Sequence, residues 1–200
     1  MNATTKLMNA ATAALIGLLF TVALSVVRAE TAPVAKILLE PEDPTRRTVL
    51  VGRVLAGDMI IQFEIEPAKA MWMAMGTPPR LVEHPVGAGE LYHVEVKPSD
   101  SRSKTRIPYA DITFAATNKD NGRKVEGTLH PMWGGSGLHY AMNSQLAGDG
   151  VYDVVVTVGA PVFGRAPADK DLWMRQTKAR FHFKLAGGKL VEVSEPVHIE

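Results

Sequence analysis

Beyond about residue 46 the chain is a succession of short runs rich in β-branched and aromatic residues, each closed by Gly, Pro, Asn or Asp. Met59 to Glu66 ends at Pro67, and Leu91 to Val96 ends before Pro98. Ala110 to Thr117 leads into Asn118-Lys119-Asp120-Asn121-Gly122. Lys124 to Leu129, Val151 to Val158, Ala179 to Leu185 and Leu190 to Ile199 complete a set of about seven. Such residues fit a pleated, half-buried surface. No window after the first 29 residues keeps an apolar period near 3.6, so long helices are not expected. The pattern predicts an all-β antiparallel sandwich with hairpin turns at Asn121-Gly122 and Gly187-Gly188.

Residues 1–29 have the character of a secretory signal peptide. Lys6 supplies the positive end, an apolar stretch runs from Ala13 to Val27, and Val27-Arg28-Ala29 offers a small-residue cleavage pattern before Glu30. The fully apolar part, Ala13 to Leu24, is shorter than the roughly 20 residues that span a bilayer. Cleavage after Ala29 removes Lys6 and Arg28, leaving 20 basic against 21 acidic residues. No basic stripe remains to bind nucleic acid. Residues 30–45, with Pro33, Pro41 and Pro44, read as a lead-in segment, and 46–200 as one sandwich domain. The expected compartment is extracytoplasmic.

The chain has no Cys, which excludes disulfides, thiolate zinc sites, cysteine nucleophiles and the His/Cys blue-copper centre. Ser nucleophile elbows, phosphate-binding loops and H-E-x-x-H helices are also missing from the sequence. Three segments carry other donors. His93-Val94-Glu95 places imidazole and carboxylate on one face of a strand. His130-Pro131-Met132 leads through Trp133-Gly134-Gly135-Ser136-Gly137-Leu138 to His139-Tyr140, and the glycines let the backbone fold back so that Met132 meets His139. Thioether with imidazole suits copper better than magnesium or calcium. Met71-Trp72-Met73-Ala74-Met75 puts three thioethers on one strand face, which reads either as an auxiliary Cu(I) site or as packing.

Taken in order, these segments resemble the periplasmic copper-binding proteins that accompany iron permeases in Gram-negative bacteria. The resemblance runs from about Gly57 to Leu185. It is tightest where Gly127-Thr128-Leu129-His130-Pro131-Met132 and His139-Tyr140 follow the family pattern G-T-L-M-P-M, six residues, H-Y. The H-x-E run, the strand Asp111 to Ala116 and the turn Phe163-Gly164-Arg165 occur in matching positions. The resemblance implies that His93 is the first copper-binding histidine, Glu95 the acidic residue that tunes the site, Met132 the thioether ligand and His139 the histidine after it. It also implies an immunoglobulin-like sandwich, a homodimer with metal near the subunit interface, and a role in delivering or oxidising iron for a membrane permease. Two positions depart from the pattern. Ala166 stands where the family has a further histidine, and His130 replaces the first Met of M-P-M. Pro131 keeps the link extended, so His130 is the candidate to take over the lost ligand.

The expectation is therefore a periplasmic copper-binding protein, not an enzyme, that supports iron or copper uptake through an inner-membrane permease. The site would hold Cu(I) or Cu(II), with iron as a second candidate, and a second copy of the chain as partner. The alternative is a metal-free envelope sandwich that binds a protein or a small ligand.

Overall fold

The structure is a computed structural model and describes residues 35–200. The expected signal peptide and its cleavage after Ala29 lie outside the described residues. Thirteen strands follow one another: β1 Lys36–Glu42, β2 Val49–Ala56, β3 Met59–Pro67, β4 Met71–Met75, β5 Arg80–His84, β6 Tyr92–Asp100 and β7 Ile112–Asn118. Then come β8 Lys124–Gly134, β9 Gly137–Ser144, β10 Gly150–Val158, β11 Thr177–Ala186, β12 Lys189–Ser194 and β13 Val197–Ile199. The helical content among the described residues is a single 3-10 turn, Pro167–Asp169.

Every strand pair is antiparallel. Strands run in the order β1-β12-β11-β10-β7-β8-β9-β6-β3-β2, with β13 on β11 and with β4-β5 as a separate hairpin. The layers are joined by β8. Its first half pairs with β7, ending at Ile112↔Leu129, and its second half pairs with β9, from His130↔Ala141 to Gly134↔Gly137. One strand thus passes from one sheet to the other between Leu129 and His130.

The expected all-β, immunoglobulin-like sandwich is the fold observed, with more strands than the seven anticipated. Three of the differences have plain causes. Residues 36–42 of the lead-in segment, with Ile37, Leu38 and Leu39 between charged residues, form β1 because β12 offers them an edge, as in Ile37↔Val193. The stretch 130–140, expected as a loop, is a continuous hairpin, because a Pro at the point where a strand changes sheets loses little from its missing N–H. The Met71 run becomes a hairpin with residues 80–84. The turn at Gly187-Gly188 is as expected: Ala186 pairs with Lys189, and the two glycines take φ of 58° and 71°, which a two-residue turn with both centres left-handed requires.

Period two sorts the side chains. Along β10, Tyr152, Val154, Val156 and Val158 are buried between layers, and β3 contributes Met59, Ile61, Phe63 and Ile65. Phe63 links the sheets. Its ring lies 5.7 Å from Phe114 and 5.4 Å from Phe181. Truncating it opens a void that stiff neighbours on both sheets cannot fill. Phe63→Ala is therefore expected to destabilise the domain by about 3–5 kcal/mol, read from the shift in its denaturant unfolding curve.

Candidate metal centre

The strand β6 is buried on both sides. Tyr92, Val94 and Val96 face the core, and His93, Glu95 and Lys97 face the other way, all at 5% exposure or less. Register carries the second set across the sheet. His93 pairs with Glu66 on β3 and with Asn143 on β9, and Glu95 pairs with Glu64 and with Ala141. One step further, Met132 on β8 lies opposite His139 on β9. Directly opposed residues share a face. His93, Glu95, Met132 and His139, 46 residues apart at the extremes of sequence, are therefore neighbours on one face of one sheet. The β8–β9 turn arches back over this face. Ser136 donates to Glu95 Oε1 at 3.1 Å. A Cβ added to Gly134 would lie 3.1 Å from the His139 ring, so this close approach requires glycine.

Hydrogen bonds set the tautomer of both imidazoles. Asn143 Nδ2 donates to the Lys69 carbonyl at 2.9 Å, so its Oδ1 is an acceptor, and His93 Nδ1 at 2.9 Å must donate to it. His139 Nδ1 lies 2.9 Å from the Gly137 carbonyl, which can only accept. Each neutral ring then carries its lone pair on Nε2. Both Nε2 atoms are buried and without a hydrogen-bond partner. A buried polar atom left unpaired costs on the order of 1–3 kcal/mol. Imidazoles oriented through Nδ1 with a free Nε2 are the arrangement that metal-binding histidines adopt. The two rings meet edge-on, with centroids 6.3 Å apart. Burial holds His93 below the ordinary histidine range, against the hydrogen bond it donates to Asn143, and so keeps it neutral.

Charge surrounds the rings. Lys97 is paired with Glu64 and, at 2.8 Å, with Glu95. Burial works against its ammonium, but the hydrogen bonds to the two carboxylates prevail and raise its pKa. Glu66 is bonded to Lys69 at 2.5 Å and stands 3.9 Å from His93 Nε2. Burial opposes its charged form, yet the hydrogen bond and charge of Lys69 together with the contact to Glu95 outweigh it and lower the pKa. Glu95 Oε1 lies 3.6 Å from His139 Nδ1. Three carboxylates against two ammonium groups leave one negative charge in excess, which favours a cation at the imidazoles.

Among the described residues no three His, Asp or Glu side chains form a ready-made metal cluster. Two imidazoles and a thioether instead share one face of the sheet, with Glu95 alongside. Met132 and His139 line one cavity together. His130 shares the β8 face with Met132 but is solvent-exposed, opposite Ala141 at the rim. Ala166 is elsewhere. It lines a cavity with Asp100, Phe163 and Trp173 at the far end of β6, roughly 23 Å along the strand from His93. Sequence reasoning missed Asn143, Lys97, Glu64 and Glu66. A signal for them exists: polar residues at every second position of otherwise apolar strands, in Gln62-Glu64-Glu66 and His93-Glu95-Lys97, and, interrupted by Ala141, in His139 and Asn143.

Comparison with known proteins bears on the fold and the family. The family model described as Fe2+ transport protein matches residues 93–187. A UPF0423 protein of Brucella abortus (strain 2308) is 32% identical over 91 residues, 40% of this chain and 50% of the relative. The corresponding proteins of Brucella suis and Brucella melitensis match to the same extent. The chain thus spans about half the length of the curated relatives it matches. FetP of uropathogenic Escherichia coli strain F11, expressed recombinantly in the periplasm, has a similar structure with TM-score 0.55 and 21% identity, covering 70% of this chain and 97% of FetP. A copper-bound FetP variant gives 0.56 and 22% over 70% of this chain and 94% of that one. Copper-reconstituted P19 of Campylobacter jejuni gives 0.56 and 21% over 70% and 96%. At such identities these structures establish a shared fold. The resemblance to the iron-transport family is therefore shown: from His93 to Gly187, the stretch that carries His93, Glu95, Met132 and His139, this chain matches the Fe2+ transport protein family.

Proposed function

We propose that the chain is a periplasmic copper-binding protein that supports iron uptake, holding one copper ion between His93, Met132 and His139 with Glu95 beside them. The observation that carries this reading is the pair of buried imidazoles whose Nδ1 atoms are engaged and whose Nε2 atoms have no partner. The match to the Fe2+ transport protein family and the copper-bound state of the FetP and P19 neighbours support the metal and the process. The FetP preparation from the periplasm, together with a removable leader over 1–29, supports the compartment.

Two imidazoles and a thioether accept both Cu(I) and Cu(II), and without a thiolate the site is not a fast blue-copper relay. Iron is the second metal to consider, as cargo, not as the resident ion. The chain acts as a carrier or redox partner, not as an enzyme in its own right. Trp72 and Trp133, 62% and 82% exposed on either side of the site, supply apolar area for protein partners. We assign that area to a second copy of the chain and to an inner-membrane iron permease. His130, at the rim on the Met132 face, serves as an outer ligand in place of the family histidine that Ala166 replaces.

Competition titrations test the ligand set. One copper ion per chain is expected, with His93→Ala or His139→Ala weakening it at least about 100-fold and His130→Ala about tenfold. A His130→Ala affinity equal to wild type removes that residue from the site, and wild-type affinity in the other two variants overturns the reading. Asn143 touches no metal in this arrangement but holds the His93 ring. Asn143→Ala is expected to cost about 10–100-fold in copper affinity while one ion still binds, checked by the same titration with metal analysis.

A further inference from the structure

The β4–β5 hairpin pairs with no other strand, yet it closes one wall of the site. Met71 and Met73 of β4 line the same cavity, of about 480 Å³, as Met132 and His139. On a strand, residues two apart share a face, so Met71, Met73 and Met75 form one thioether row with steps of roughly 7 Å. Exposure along that row is graded. Met75 is 58% exposed, Met73 is half-buried and Met71 is 5% exposed. An apolar stripe that served packing alone would place its exposed end in polar residues. Here a soft, unhydrated donor is retained at every step from solvent to the cavity that holds His139. Lys69 also lines this cavity, and its ammonium is paired with Glu66, which offsets its positive charge there.

We propose that Met75, Met73 and Met71 form a track that admits a soft monovalent cation, Cu(I), to the Met132–His139 site. Thioethers bind Cu(I) and are poor ligands for Cu(II), so the track discriminates by oxidation state. Met71 and Met73 supply sulfur to the ion while it is Cu(I). Met75 is the first contact at the surface. No covalent or redox step is involved: the ion exchanges one thioether for the next.

This inference rests on the copper reading of His139 and Met132, and the test separates the two. Methyl resonances of 13C-methyl-methionine protein are followed during titration with Ag(I), a redox-inert substitute for Cu(I). Signals of Met71 and Met73 are expected to move together with Met132. The Met71→Leu/Met73→Leu variant is expected to bind Cu(I) about tenfold or more weakly, with Cu(II) affinity unchanged within about twofold. If Met132 shifts while Met71 and Met73 stay in place, the track is refuted and the copper site stands. If Ag(I), Cu(I) and Cu(II) all leave Met132 and the His139 amide unmoved, both readings fall. The titration uses the wild-type chain, so its outcome does not depend on whether the variant folds.

Discussion

The outer face of the β6 sheet depends on one buried ammonium group. Lys97 lies between Glu64 and Glu95, and all three are nearly excluded from water. Two carboxylates this close in a dry layer repel each other and would drive one to take up a proton. The lysine makes both charges tolerable and, by bonding Glu95 Oε1, holds that carboxylate against His139 and Ser136. The chain of contacts continues outward through Gln62 to Arg53, so Lys97 and its carboxylates are paired out to the solvent edge, whereas the two imidazole Nε2 atoms of the same layer are not. Such networks are costly to bury and add little net stability over an apolar layer. Their presence marks a face organised for something other than packing.

The fold delivers that face to the imidazoles by sheet pairing. Because β8 leaves β7 and joins β9, Met132 arrives beside His139. Because β9 joins β6, His139 arrives beside His93 and Glu95. The core on the opposite side, centred on Phe63, sets the distance between sheets and keeps β3 and β6 in register. A one-residue slip in β6 would send His93 and Glu95 into the hydrocarbon core and Val94 to the site. Site geometry and core packing are thus two sides of the same strand alternation.

The strand character of most segments was legible because β-branched runs between Gly, Pro and Asn have one reading. Turns at Gly187-Gly188 and the shared face of His93 and Glu95 followed from local chemistry as well. Residues 36–42 were not legible, since a short apolar run flanked by charges and followed by Pro41 becomes a strand when β12 is present to pair with it. The hairpin character of 130–140 was hidden for a similar reason. Pro131 reads as a break until one sees that it sits where the strand changes partners.

What the sequence determined by itself is the alphabet of the site: no thiolate, a few imidazoles, an abundance of thioethers, and an alternation that puts each donor on a definite side of its own strand. These are properties of residue type and of period two, which are local. What only the tertiary structure decided is which donors meet, which nitrogen of each ring is left free, and what charge surrounds them. Asn143, Glu64 and Glu66 act on His93 and Glu95 across strand pairs up to 50 residues apart; the Nε2 of His93 is left free because the distant Asn143 takes its Nδ1 proton, whereas His139 is fixed locally by the Gly137 carbonyl two residues before it. Long-range pairing is fixed by burial of the whole core, and no segment contains that information alone.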